Sequence, residues 1–255
     1  MDGERHDGRT ILAIGGADRL DFLQGLVTND VARSGLVYAA LLSPQGKYLA
    51  DFFLLTQDDR ILLDVSSDLV PDLIKRLKMY KLRADVTLEE VDLYAQRGLG
   101  PIPNDGYADP RHPALGWRRY VTSPGTELVT DWEALRVAHC IPESGIELVP
   151  NETYVLEAGF ERLAGVDFRK GCYVGQEVTA RMKHKTELRK GLTIVTVDGT
   201  AELGTEITTE GKSAGRLFTR TGNRAIAFLR FDRAKDGMLR AGDASVQLAE
   251  APAES

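Results

Sequence analysis

Cysteine is nearly absent from this chain: Cys140 and Cys172 are the only two in 255 residues. Two thiols make no disulfide framework, and that usage fits a reducing compartment. Neither sits in a Cys-x-x-Cys pair, and no His-Glu-x-x-His occurs, so no metal-binding motif is expected. Histidine is scarce as well, with four in the chain. Nothing in the spacing pairs His139 or His184 with a thiol as the base a nucleophile needs. No apolar run approaches the roughly 20 residues that cross a bilayer, so no membrane partner is expected. Residues 1–8 lack the apolar core of a secretory signal and are not Arg-rich and acid-poor like a transit peptide. A cytoplasmic location is the resulting expectation. A formal net charge of -6 argues against general nucleic-acid binding, which rests on neutralising phosphates. No internal repeat or low-complexity tract is present.

The segments that are there alternate in character. Residues 10–14 suit a strand, after which Asp18 is placed to cap a helix bearing Leu20, Leu23, Leu26 and Val27 on one face. Two apolar runs, 35–42 and 48–56, flank Pro44-Gln45-Gly46 in a hairpin pattern. Residues 61–65 add a strand, and Ser67 or Asp68 begins a helix with Leu69, Leu73 and Leu77 on one stripe. Pro71 is tolerable there because it falls in the first turn. Residues 83–91 follow as a strand, giving a ferredoxin-like α+β order. The prolines of 98–113 mark an excursion, and Asp131 caps a further helix that carries Cys140, expected to be packing. Trp117 and Trp132 are expected in the core. Beyond Gly191 regularly spaced glycines punctuate short β-rich runs, the texture of a small barrel.

The most informative segment is Lys170-Gly171-Cys172-Tyr173-Val174-Gly175-Gln176-Glu177. It sets a thiol between two glycines beside Arg169 and Lys170, and cations next to a thiol favour the thiolate. A helix starting at Gln176 would add unpaired N–H groups to that effect. Residues 169–190 are locally basic, with Arg169, Lys170, Arg181, Lys183, Lys185, Arg189 and Lys190 against Glu177 and Glu187. That asymmetry in an acidic chain suits an anionic partner or, equally, a solvated helix face.

The octet resembles the signature of the YgfZ family of folate-binding proteins, relatives of the glycine-cleavage T-protein (aminomethyltransferase). The block from Phe22 to Val31, the Ser43-Pro44-Gln45-Gly46-Lys47 turn with Asp51, and the runs near Gly215 and Ala225 resemble other parts of the family, so the likeness spans residues 11–240. It implies an α+β, T-protein-like arrangement, with ferredoxin-like units around a central channel and a small C-terminal β-barrel. The corresponding expected domains are 1–35 with 116–186, then 36–115, then 187–255. It also implies a tetrahydrofolate-binding accessory factor for iron–sulfur proteins, including tRNA-thiolating enzymes. Glu157, in Leu156-Glu157-Ala158-Gly159, would contact the pterin. Cys172 and Lys170 would form the reactive centre, and Tyr173, Gly175, Gln176, Glu177 and Arg181 would line the cofactor site. Tyr173 could equally be core, and Gln176 and Glu177 could equally cap a helix.

An iron–sulfur cluster takes four protein ligands, mostly thiolates. Any contact of Cys172 with a cluster would therefore be transient and shared with a partner or a small thiol. The expected partners are folate and iron–sulfur assembly or client proteins, with the chain a monomer. Two other readings stay open: a folate-dependent one-carbon transferase, for which Asp64, Asp68 or Asp72 would supply the T-protein's aspartate, and a tRNA-associated protein.

Overall fold

The computed structural model describes residues 3–184, 188–235 and 237–249. Its centre is a five-stranded antiparallel sheet made of β2 (Arg9–Gly15), β3 (Leu36–Leu42), β4 (Tyr48–Thr56), β5 (Ile61–Ser66) and β6 (Thr87–Glu90), in the order β3-β4-β5-β2-β6. Successive side chains of a strand point to opposite faces. Along β3, Leu36, Tyr38, Ala40 and Leu42 therefore enter one core while Val37, Ala39 and Leu41 enter another. Both faces are covered, which is why β3 reads as a continuous apolar run. The second core is closed by α1 (Arg19–Gln24) through Leu23, and by α2 (Val70–Lys81) through Val70, Leu73 and Leu77. The first is closed by the irregular stretch 141–173, which contributes Ile141, Leu148, Val155, Phe160, Leu163 and Tyr173.

A smaller sheet pairs β1 (Glu4–Arg5), β7 (Tyr94–Gly98), β9 (Trp117–Val121) and β8 (Tyr107–Ala108), in the order β1-β7-β9-β8. Beside it lies α3 (Trp132–Ala138), whose N-terminus is capped as expected: Asp131 Oδ1 accepts from Ala134 N at 2.9 Å. After α4 (Gln176–Lys183) comes the barrel of β10 (Lys190–Asp198), β11 (Glu206–Thr209), β12 (Lys212–Thr221), β13 (Arg224–Arg230), β14 (Leu239–Ala241) and β15 (Ala244–Leu248). It closes in the order β10-β13-β12-β11-β14-β15, with α5 (Phe231–Ala234) after β13.

Some expectations need correction. The boundary between 35 and 36 does not divide the sheet, because β2 lies inside it between β5 and β6. The first strand of the ferredoxin-like order, Arg9–Gly15, thus shares a sheet with strands of 36–115. Asp18 precedes α1 but makes no side-chain cap; its Oδ2 accepts from Asp85 N at 2.8 Å and ties the helix to the β6 approach. The excursion 98–113 contains the short strand β8.

A buried ion network joins the two sheets. Asp64 on β5 is fully buried. Arg9 Nε donates to its Oδ1 at 2.6 Å, while Arg118 Nη2 of β9 and the Tyr120 hydroxyl donate to its Oδ2 at 2.7 and 3.1 Å. Burial pushes the Asp64 pKa up, but Arg9 and then Arg118 pull it further down, so it ends below the usual carboxylate value. Asp64 is thus a structural anion, unavailable as a transferase base, and Asp68 and Asp72 lie exposed at the start of α2.

A carboxylate with a lowered folded pKa stabilises the protein above the unfolded value near about 3.9 and loses that contribution as pH falls through the folded value. Asp64→Asn leaves two buried guanidinium groups short of their counter-ion. It is expected to cost about 3–5 kcal/mol at neutral pH and to flatten the loss of stability in acid. Denaturant titrations of both proteins from neutral to acid pH check this; equal stability at neutral pH refutes it.

Candidate functional site

The thiol of Cys172 is exposed, and the residues around it explain why. Lys170, two positions earlier, turns inward. Its Nζ donates to the backbone carbonyls of Gln24, Val27 and Asn29 at 2.8, 2.6 and 3.0 Å. An ammonium has three N–H donors, and all three are used. The acceptors lie at and just beyond the C-terminal end of α1, where orphan carbonyls favour a cation. Burial pulls the ammonium pKa down to about 8, against the opposing pull of Asp30 and Asp167. One position after the thiol, Tyr173 also turns inward, into the core on the β3–β4 face. Gly171 and Cys172 are what remains between two buried anchors, and they are displayed to solvent.

The next turn is held just as closely. Gly175 has φ +83° and starts α4. A Cβ there would lie 2.6 Å from the Ser43 carbonyl oxygen, and one on Gly46 would lie 2.7 Å from Val178 Cβ. The Ser43–Gly46 turn and the first turn of α4 thus touch backbone to backbone, which only glycine allows. On the other side, Thr28 Oγ1 donates to the Gly165 carbonyl at 2.7 Å and Asn29 Nδ2 to that of Ala164 at 2.7 Å. Three segments distant in sequence, 22–31, 43–47 and 164–177, therefore form one unit around Cys172.

Several expected roles change. Lys170 is committed to carbonyl oxygens and serves as an anchor for the loop rather than as a partner for the thiol. Tyr173 packs in the core. Gly175 is required by close packing, and Gln176 N donates to the Tyr173 carbonyl at 3.2 Å. Glu177 and Arg181 pair with each other across one exposed helical turn at 2.7 Å. Glu157 is buried, with its carboxylate 3.5 Å from Lys190 Nζ. Lys183 pairs with Glu161, while Lys185 and Glu187 lie outside the described residues. Three members of the basic stretch, Arg181, Lys183 and Lys190, thus meet carboxylates, while Arg169 and Arg189 lie exposed.

A cleft lined by Arg9, Arg97, Arg111, Arg118, Asp51 and Trp132 among others includes none of the expected folate residues. Its arginines come from strands and loops far apart in the chain, so no local pattern announced them. Among the described residues no group of three His, Cys, Asp or Glu side chains could hold a metal ion. The second thiol, Cys140, is buried, and burial raises its pKa to about 11.

Comparison with known proteins adds the following. Residues 189–253 match the family described as CAF17, C-terminal beta-barrel domain, in agreement with the barrel above. The mouse (Mus musculus) protein named "Iron-sulfur cluster assembly factor IBA57, mitochondrial" is 30% identical over 91% of this chain and 78% of its own length. The human (Homo sapiens) protein of that name is 31% identical over the same shares. A homolog of IBA57 from Mycosarcoma maydis is 32% identical over 71% of this chain and 54% of its own. In fold, the chain matches the glycine cleavage system aminomethyltransferase T from Bartonella henselae with a TM-score of 0.75, over 98% of this chain and 84% of that one. The identity is 12%, so that likeness concerns fold alone, and it is the expected T-protein-like arrangement. The cytoplasmic expectation does not stand, since these IBA57 relatives are named as mitochondrial proteins.

Lys170→Met strands three carbonyl groups and is expected to cost about 2–3 kcal/mol. Gly175→Ala forces a Cβ into the Ser43 carbonyl at positive φ and is expected to cost more than about 1 kcal/mol. Cys172→Ser should leave the melting temperature unchanged. In the folded wild type a thiol reagent should label Cys172 and spare Cys140, which peptide mapping reads directly.

Proposed function

The chain belongs to the IBA57 family of iron–sulfur cluster assembly factors, and from that premise we propose that Cys172 is the point at which it meets an iron–sulfur cluster in transit. The observation that carries this reading is the exposed thiol held between the buried Lys170 and Tyr173. The cluster is cargo here, not a resident cofactor. Clusters take four protein ligands, mostly thiolates, and of this chain's two thiols only Cys172 is exposed, because Cys140 is buried and hard to ionise. The remaining ligands come from a partner protein or a small thiol, so the chain works as one half of a shared site and assists transfer rather than storage. Its partners are iron–sulfur assembly or client proteins.

Of the expected folate residues, Tyr173 packs in the core, Glu177 pairs with Arg181 and Glu157 lies near Lys190, and no step is routed through that cofactor. The rigid loop supplies position instead: the thiol is presented at a fixed place, at the start of α4, without side chains that would cover it.

The test uses a strain lacking its own factor of this family, complemented with wild type, Cys172→Ala or Cys140→Ala at matched protein levels, with the activity of a [4Fe–4S] enzyme measured in extracts. Wild type and Cys140→Ala are expected to restore activity and Cys172→Ala to fail. Restoration by Cys172→Ala would reduce the thiol to a bystander.

A further inference from the structure

Away from Cys172, strands of both sheets and α3 wall a small cleft of about 30 Å³. Five arginines line it, and four have carboxylate partners. Arg9 and Arg118 hold Asp64 at 2.6 and 2.7 Å. Arg111 takes both oxygens of Asp109, at 3.0 and 2.8 Å. Arg136 reaches Glu143 at 2.8 Å and Glu147 at 3.3 Å. Arg97 is different. Among the described residues its guanidinium has no ion-pair partner, and it lies over the Trp132 ring at 4.3 Å. Its Nε is buried with no hydrogen-bond acceptor, and so is the Nε of Arg118, a side chain only 1% exposed.

Arg97 is half-buried with Glu143 and Glu4 as its nearby carboxylates, but a buried N–H without an acceptor is costly. Proteins keep such groups where something binds them. A guanidinium held over an indole keeps its planar fork of donors, the group that recognises carboxylate and phosphate oxygens. Burial, and then the neighbouring charge of Arg118, lower the Arg97 pKa to about 9, against the opposing pull of Glu143 and Glu4. The other polar lining near the mouth is already engaged: Asp51 accepts from the hydroxyls of Tyr38, Tyr48 and Ser144.

We propose that this cleft is a binding site for a small oxyanion, a carboxylate or phosphate group, which takes the donor edge of Arg97 together with the spare donor of Arg118. The site is independent of the cluster contact at Cys172, and either can fail without the other.

Isothermal titration of the full chain with inorganic phosphate, and separately with succinate, at constant ionic strength held with chloride, tests it. Saturable binding of at least one is expected. Phosphate alone would indicate a phosphorylated ligand, and succinate alone a carboxylate. Arg97→Met is expected to weaken binding by about tenfold or more. Arg97→Lys keeps the charge without the planar fork and is expected to fall between the two, and it serves if the methionine variant does not fold. Absence of saturable binding to the wild type at millimolar probe, or equal binding by the wild type and the Arg97 variant, overturns the proposal.

Discussion

The ammonium of Lys170 and its three carbonyl acceptors are the contact on which the rest of the candidate site depends. Without it the end of α1 has unpaired carbonyls, the 164–177 stretch loses its strongest tie to the 24–29 turn, and nothing sets the height of Cys172 above the core. The interaction is strong because it combines full use of a cation's donors with the negative end of a short helix. It also changes the meaning of the lysine in the sequence. A positive charge beside a thiol suggests an electrostatic partner, yet in the fold that charge is consumed by the backbone.

The same shift from ligand to scaffold runs through the octet. Tyr173 supplies apolar volume, Gly175 lets two backbones touch, and Gln176 closes a turn. The matching glycine, Gly46, sits in a hairpin more than a hundred residues earlier in the chain. A dense motif is often read as a list of ligand contacts; here most of its members build the platform, and one is left to face solvent.

How far the sequence could be read depended on range. The hairpin around Pro44 to Gly46, the α2 stripe with Pro71 in its first turn, the Asp131 cap and the barrel texture after Gly191 are local patterns, and each appears in the fold. The central place of β2 was not legible, because pairing Arg9–Gly15 with both β5 and β6 is a long-range choice that no local period reports. Nor was the arginine cleft, whose members at 9, 97, 111, 118 and 136 share no element. The orientation of Lys170 was hidden for the same reason: its acceptors are about 140 positions away. The thiol between its glycines is a local feature of the sequence, and its exposure is what the fold adds.

The spacing of the two anchors has a kinetic consequence. Only two residues separate Lys170 from Tyr173, and a chain spans at most about 3.6 Å per residue. The sulfur therefore cannot swing far to meet or to withdraw from anything. Whatever approaches must carry the motion itself, and encounter rates should be set by the partner's diffusion and flexibility rather than by a hinge on this side.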